Sequence, residues 1–171
     1  MLTTLKKEQF DELFTLMTDA FPEDEHRGYD AQRALLDDPR YRVFTYEKDG
    51  EIGAFFATWE GPDFIFVEHF AVKESFRNGG LGSTLLQDFL QLHEKTVILE
   101  IEPPESGMEK RRAGFYVRND FHLTDWGYTQ PPFSEGRSPV PLVLMSYPEA
   151  LSEDAFQTFK TWMFTHLYTS R

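Results

Sequence analysis

Apolar residues recur at spacings of three and four through KKEQFDELFTLMTDA (residues 6–20), placing Phe10, Leu13, Phe14 and Met17 on one side of a predicted helix. The pattern stops at Phe21-Pro22. The acidic stretch PEDEHRGYDAQRALLDDP then predicts a loop and a short helix from Tyr29 to Leu36, ended by Asp38-Pro39. From there the period changes. YRVFTYEK, EIGAFFATWE and FIFVEHFAV are rich in β-branched and aromatic residues, and the turn signals Asp49-Gly50 and Gly61-Pro62-Asp63 join them into an antiparallel meander. The third run is apolar on both faces, as expected of a central strand, yet it carries Glu68 and His69 in its middle. With strict alternation those two would point to opposite faces unless a bulge intervenes.

After RNGGLG (residues 77–82), STLLQDFLQLHEK sets Leu85, Leu86, Phe89, Leu90 and Leu92 on a helical stripe, and TVILEIEPP reads as a buried strand ended by two prolines. Strand, helix and strand in that order predict a parallel crossover. EKRRAGFYVRNDF reads as a further helix, and FHLTDWGY and PVPLVLMSY as strands around the long loop TQPPFSEGRSP. SEDAFQTFKTWMFTHLY closes the chain as a capped helix with Phe156, Phe159, Met163 and Leu167 along one side. Its aromatic content suits cover for the core, a flap over a cleft or a homodimer contact. Without repeats or a linker, residues 1–171 are expected to form a single domain.

Composition narrows the chemistry. The 171 residues include no cysteine, so disulfides, thiolate nucleophiles and cysteine metal sites are excluded, as suits a reducing cytoplasmic setting. The first residues, MLTTLKKEQFDELF, hold no unbroken apolar run, so neither a signal peptide nor a membrane span is expected. Acidic residues number 29 against 17 Lys and Arg, a net charge of −12 that disfavours nucleic acid and anionic membranes as partners and favours a cationic amine.

The turn RNGGLG leads from a strand into a helix, where backbone N–H groups without intrahelical partners converge on one anion-sized point. Gly79, Gly80 and Gly82 remove the β-carbons that would keep a phosphate off the backbone, and Arg77 can add charge. No lysine follows Gly82, so this is no nucleotide P-loop, and the glycine spacing differs from the dinucleotide fingerprint. The pattern R-x-x-G-x-G at Arg77, Gly80 and Gly82, directly after Phe70-Ala71-Val72, resembles the pyrophosphate signature of the GNAT superfamily, the Gcn5-related N-acetyltransferases. The element order over residues 1–147 resembles the same fold: a mixed α/β, mostly antiparallel six- to seven-stranded sheet with a splayed parallel pair, here with an extra C-terminal helix over 148–171.

The resemblance implies acetyl-CoA as cosubstrate, without a metal, and transfer of acetyl to a primary amine in a ternary complex. It places the pantetheine arm along Phe70, Ala71 and Val72 and the pyrophosphate among Asn78, Gly79, Gly80, Leu81, Gly82 and Ser83, with Lys73 and Arg77 nearby. Tyr116 corresponds to a tyrosine near the cofactor sulfur and is the expected general acid; Glu68 corresponds to a strand glutamate that serves as base. Glu100 and Glu102 share a strand face and can bind a cationic acceptor or pair with Arg111 or Arg112. The acceptor pocket is expected between PEDEHRGYDAQR, with Glu23, Asp24 and Glu25, and TQPPFSEGRSP. A non-catalytic acyl-CoA-binding sensor or interaction module is the alternative from another class.

Overall fold

The computed structural model describes residues 1–168. Strands β1 (Leu2–Thr4), β2 (Tyr41–Lys48), β3 (Glu51–Glu60), β4 (Phe64–Val72), β5 (Thr96–Ile101), β6 (His122–Gln130) and β7 (Val140–Tyr147) form one sheet in the order β1-β2-β3-β4-β5-β7-β6. Helices α1 (Phe10–Ala20), α2 (Tyr29–Ala34), α3 (Leu81–Gln91), α4 (Gly107–Arg118) and α5 (Glu153–His166) flank it. Every neighbouring pair is antiparallel except β4 and β5, which are joined through α3 as the strand–helix–strand pattern predicts. Asp49 and Gly50 both take positive φ, 56° and 77°, as a tight hairpin turn that follows the strand twist requires. The short helix runs from Tyr29 only to Ala34, its last expected turn tightening to 3₁₀ geometry over Leu35–Asp37. β1 is an edge strand that the sequence pattern did not reveal.

Two cores sandwich the sheet. On one face Phe10, Leu13 and Met17 of α1 pack with Phe64, Phe66 and Trp59, and α5 lays Phe156, Phe159 and Met163 on the same side. The Phe159 ring meets Phe64 edge-on at 5.1 Å, so α5 is core cover. Ser152 caps that helix, its hydroxyl accepting from Ala155 N–H at 3.1 Å. On the other face Leu85, Leu86 and Phe89 of α3 and Ala113 and Tyr116 of α4 cover Ile65, Val67, Leu99 and Ile101. Residues 169–171 of the expected C-terminal extension lie outside the described residues. Among the described residues no helix is long and apolar enough to cross a membrane.

β4 changes phase at one residue. Ala57 opposes His69 and Thr58 opposes Val67, which leaves Glu68 without a counterpart on β3. This bulge puts Phe64, Phe66, Glu68, His69 and Ala71 on the α1/α5 face, while Ile65, Val67, Phe70 and Val72 turn to α3 and α4. Glu68 and His69 therefore share a face.

Candidate active site

The parallel pairing of β4 with β5 ends at Val67 opposite Leu99, although both strands run on. A bulge kinks its strand and raises the local twist, so the pairing fails where Glu68 is inserted. The two strands diverge into a V. From Glu68 to Val72 the β5-facing edge of β4 is free of strand pairing, and a cleft of about 460 Å³ passes through the sheet there. Its walls include Phe70, Ala71 and Val72 from the cofactor expectation, Tyr116 and Glu68 from the catalytic one, and Glu25, Glu100 and Glu102 from the acceptor one.

Beyond Val72 the chain makes a 3₁₀ turn over Glu74–Phe76 and enters the glycine turn. Asn78 and Gly80 take φ of 76° and 73°, a region that glycine enters freely and asparagine more readily than most residues. The first bond of α3 is Thr84 N–H to Gly80 C=O, so the N–H groups of Leu81, Gly82 and Ser83 are left to point out of the helix end. A β-carbon at Gly79 or Gly80 would meet nothing within 4 Å, so the space beside these two residues is open. Arg77 Nε donates to Val72 C=O at 2.8 Å and folds its guanidinium back over the strand end. Lys73 instead pairs with Glu51.

The two sheet faces bring different chemistry to the gap. On the α3/α4 side, Tyr116 stands between the edges of Phe115 and Phe121, and its hydroxyl has no hydrogen-bond partner among the described residues. Burial pushes its phenol up to about 12, so it carries its proton at neutral pH. On the α1/α5 side four carboxylates gather. Glu68 is held by Arg27, whose two terminal nitrogens donate to Oε1 and Oε2 at 2.9 Å each, and by Trp59 Nε1 at 3.2 Å. Burial alone would raise its carboxyl, but the Arg27 guanidinium, helped by His69 and Trp59, holds it down at about 2. Glu25 is pushed up to about 7, mainly by burial and next by the negative charge of Glu102. Glu100 is pushed up to about 8 by burial, although the Tyr128 and Tyr168 hydroxyls both donate to it. His69 Nε2 donates to the Glu25 carbonyl at 2.7 Å, which leaves the Nδ1 lone pair without a partner among the described residues. Burial depresses the His69 imidazole toward its neutral form.

The loops expected to form the acceptor pocket are sewn together. Ser138 N–H donates to Asp24 Oδ1 at 2.8 Å, Gln130 Nε2 to Asp24 C=O at 3.3 Å, and the Arg137 guanidinium to the backbone carbonyls of Glu23 and His26. Arg27 binds both sides of this seam, since its guanidinium also lies over the Phe133 ring at 4.6 Å.

A model described as the acetyltransferase (GNAT) family matches residues 10–118. The chain belongs to this family. Solved structures of similar shape include a Bacteroides thetaiotaomicron protein assigned to the GNAT family as an acetyltransferase, 27% identical, with 100% of this chain and 99% of that one covered and a TM-score of 0.91. A ribosomal-protein-alanine N-acetyltransferase from Brucella melitensis is 17% identical, with 88% and 99% covered and a TM-score of 0.64. A variant of the Vibrio cholerae spermidine N-acetyltransferase is 13% identical, with 85% and 93% covered and a TM-score of 0.64. No curated protein matches the chain significantly.

Against the family pattern, the residues that escaped sequence reasoning are Arg27, Tyr128 and Tyr168. Arg27 meets its partner 41 positions away and Tyr168 meets Glu100 across 68, and no local spacing marks either contact. A buried glutamate in a central strand demands a partner, and that demand was the one signal for Arg27.

Proposed function

We propose that the protein is an acetyl-CoA-dependent N-acetyltransferase that moves an acetyl group onto a primary amine of a cationic acceptor by direct attack. The observation that carries this reading is the gap between β4 and β5, which opens between a protonated tyrosine on one sheet face and a group of carboxylates on the other. In that arrangement an amine enters from the acidic side and a departing thiolate meets Tyr116. The N–H groups of Leu81, Gly82 and Ser83, with the turn Asn78-Gly79-Gly80 and Arg77, would hold the pyrophosphate, and the free edge of Phe70, Ala71 and Val72 would hold the pantetheine arm. When bound, acetyl-CoA supplies an activated thioester. Lacking cysteine, the chain cannot form a thioester of its own, which favours a ternary complex.

In this proposal Tyr116 is the general acid. Glu68, the base expected from the resemblance, anchors Arg27 and the acceptor loops instead, because both its oxygens are engaged and a carboxylate titrating at about 2 has little affinity for a proton.

Calorimetric titration with acetyl-CoA and free CoA, followed by thioester consumption over a panel of amines, tests the reading. The panel includes polyamines, amino acids and peptides with free N-termini, because the fold relatives named above act on spermidine and on a protein alanine. Tight CoA binding with consumption dependent on one amine class is the expected result. Binding without consumption across the panel would turn the assignment to a sensor, and absence of binding would refute both. Tyr116→Phe is expected to lower kcat by about 100-fold with acetyl-CoA affinity retained.

A further inference from the structure

We infer that a second cavity, behind the Arg27–Glu68 pair, binds a small organic anion: a carboxylate carried on an apolar or aromatic body. This site goes beyond the proposed acetyl transfer and takes neither the cosubstrate nor the acceptor.

The cavity measures about 850 Å³ and lies between α2, the loop that joins β6 to β7, and the end of α5. A space of that size holds a small molecule. Among the described residues it shares no lining residue with the cleft between β4 and β5. The wall between the two is Glu68 with its donors: Glu68 lines the cleft, whereas Arg27 and Trp59 line the cavity.

The lining is apolar with a cationic end. Leu35, Trp59, Phe133 and Leu167 supply apolar walls, and the Arg27 and Arg137 side chains are only 10% and 15% exposed. A guanidinium has five N–H donors, and Glu68 accepts one from each terminal nitrogen of Arg27; among the described residues no other acceptor binds that side chain. Arg137 donates to the carbonyls of Glu23 and His26, and its carboxylate partner Glu23, at 3.7 Å, has a side chain 80% exposed. Glu135, the carboxylate in the lining, is exposed as well. Solvent screens both of these acids, so the buried charges at the cavity are the mutually neutralised Arg27–Glu68 pair and the Arg137 cation. A carboxylate placed there gains charge-assisted bonds that a neutral group lacks, while an apolar body covers the walls around them. On its α1/α5 side the cleft offers the reverse, with Glu25, Glu68, Glu100 and Glu102 in its walls. The two openings therefore select opposite charges.

Arg27 links them. A carboxylate bound behind it shares the guanidinium with Glu68, the unmatched residue at which β4 parts from β5. Occupancy of the cavity is thereby coupled to the residue that opens the gap, and such coupling is reciprocal.

The test needs neither CoA nor an amine, so its outcome is independent of whether acetyl transfer is found. Phenylacetate, indole-3-acetate and hexanoate are titrated separately against the intact protein, and the indole N–H signals of Trp59, Trp126 and Trp162 are followed by NMR. At least one acid should shift the Trp59 signal saturably, with a Kd of about 1 mM or tighter. The primary amide and the amine of the same carbon skeleton should bind at least about tenfold more weakly. Ala34→Phe, a change at an exposed helix position that lines the cavity, should fill it and abolish the shift. Phenylacetate should also raise the melting temperature of Glu68→Gln more than that of the wild type, because the bound carboxylate replaces the partner that Arg27 has lost. No saturable Trp59 shift with any of the three acids by about 10 mM, equal binding by the amide or the amine, or binding that survives Ala34→Phe overturns the inference. An equal or smaller thermal response in Glu68→Gln overturns it too; should that variant not fold, the acid series and Ala34→Phe decide.

Discussion

Glu68, with its side chain buried, and Glu100, partly buried, are two carboxylates on one sheet face, and their neighbours drive them in opposite directions. Arg27 keeps Glu68 ionised, whereas Glu100 has only hydroxyls. Removing the cation from the first pair leaves a buried charge unpaired, so Arg27→Met is expected to cost about 3–5 kcal/mol in urea denaturation. Adding Glu68→Gln to that variant should return much of the loss, which a double-mutant cycle measures. The pH dependences carry opposite signs. Glu68 titrates at about 2 in the fold against 4.5 ordinarily, so its contribution is complete above 4.5 and is lost as pH falls toward 2. Glu100 titrates near 8, so the folded state holds the extra proton between 4.5 and 8, and stability falls as pH rises through that window. Glu100→Gln should therefore melt higher than the wild type at pH 9, by on the order of 2 kcal/mol, with the difference fading by about pH 4.5.

Among the elements, those with strong periodicity were legible: α1, the meander of β2, β3 and β4, the parallel crossover into β5, and α5 all follow from apolar spacing and turn residues. β1 was not, because three residues at a sheet edge carry too little pattern. The bulge at Glu68 could be named only as a condition, for a different reason. β4 is apolar on both faces, so a slip of phase leaves no trace in its hydrophobic pattern. The glycine turn was readable as a helix start because its left-handed positions, Asn78 and Gly80, carry residues that enter that region readily. At Gly80, with φ of 73°, Gly80→Ala should cost about 1 kcal/mol in stability and weaken CoA binding in calorimetry, since the new methyl enters the open space before α3. Unchanged affinity in that variant would remove the phosphate from this turn. Glu25, Glu68 and Glu100 were legible as candidates and illegible as roles, because a role depends on which partner folding brings.

At the scale of the molecule, a net charge of −12 would oppose the proposed cosubstrate, itself a polyanion. Long-range repulsion slows encounter, and salt screens it within a Debye length of about 10 Å at 0.1 M. Stopped-flow association of CoA should accelerate as salt is raised from about 10 to 100 mM, the reverse of the usual behaviour of a phosphate ligand with a basic protein. An association rate that fell instead would mean that the local field at the α3 terminus outweighs the global one.

The bulge in β4 gives this fold an unusual kind of fragility. Because Glu68 is the unmatched residue, taking it out would leave every other side chain of the strand on its present face and let the ladder with β3 run unbroken. Such a deletion would heal the kink, so β5 could zip past Leu99 and close the slot through which the two faces communicate. A sheet with an opening and a sheet without one are then separated by a single codon, and that codon encodes the carboxylate that anchors Arg27.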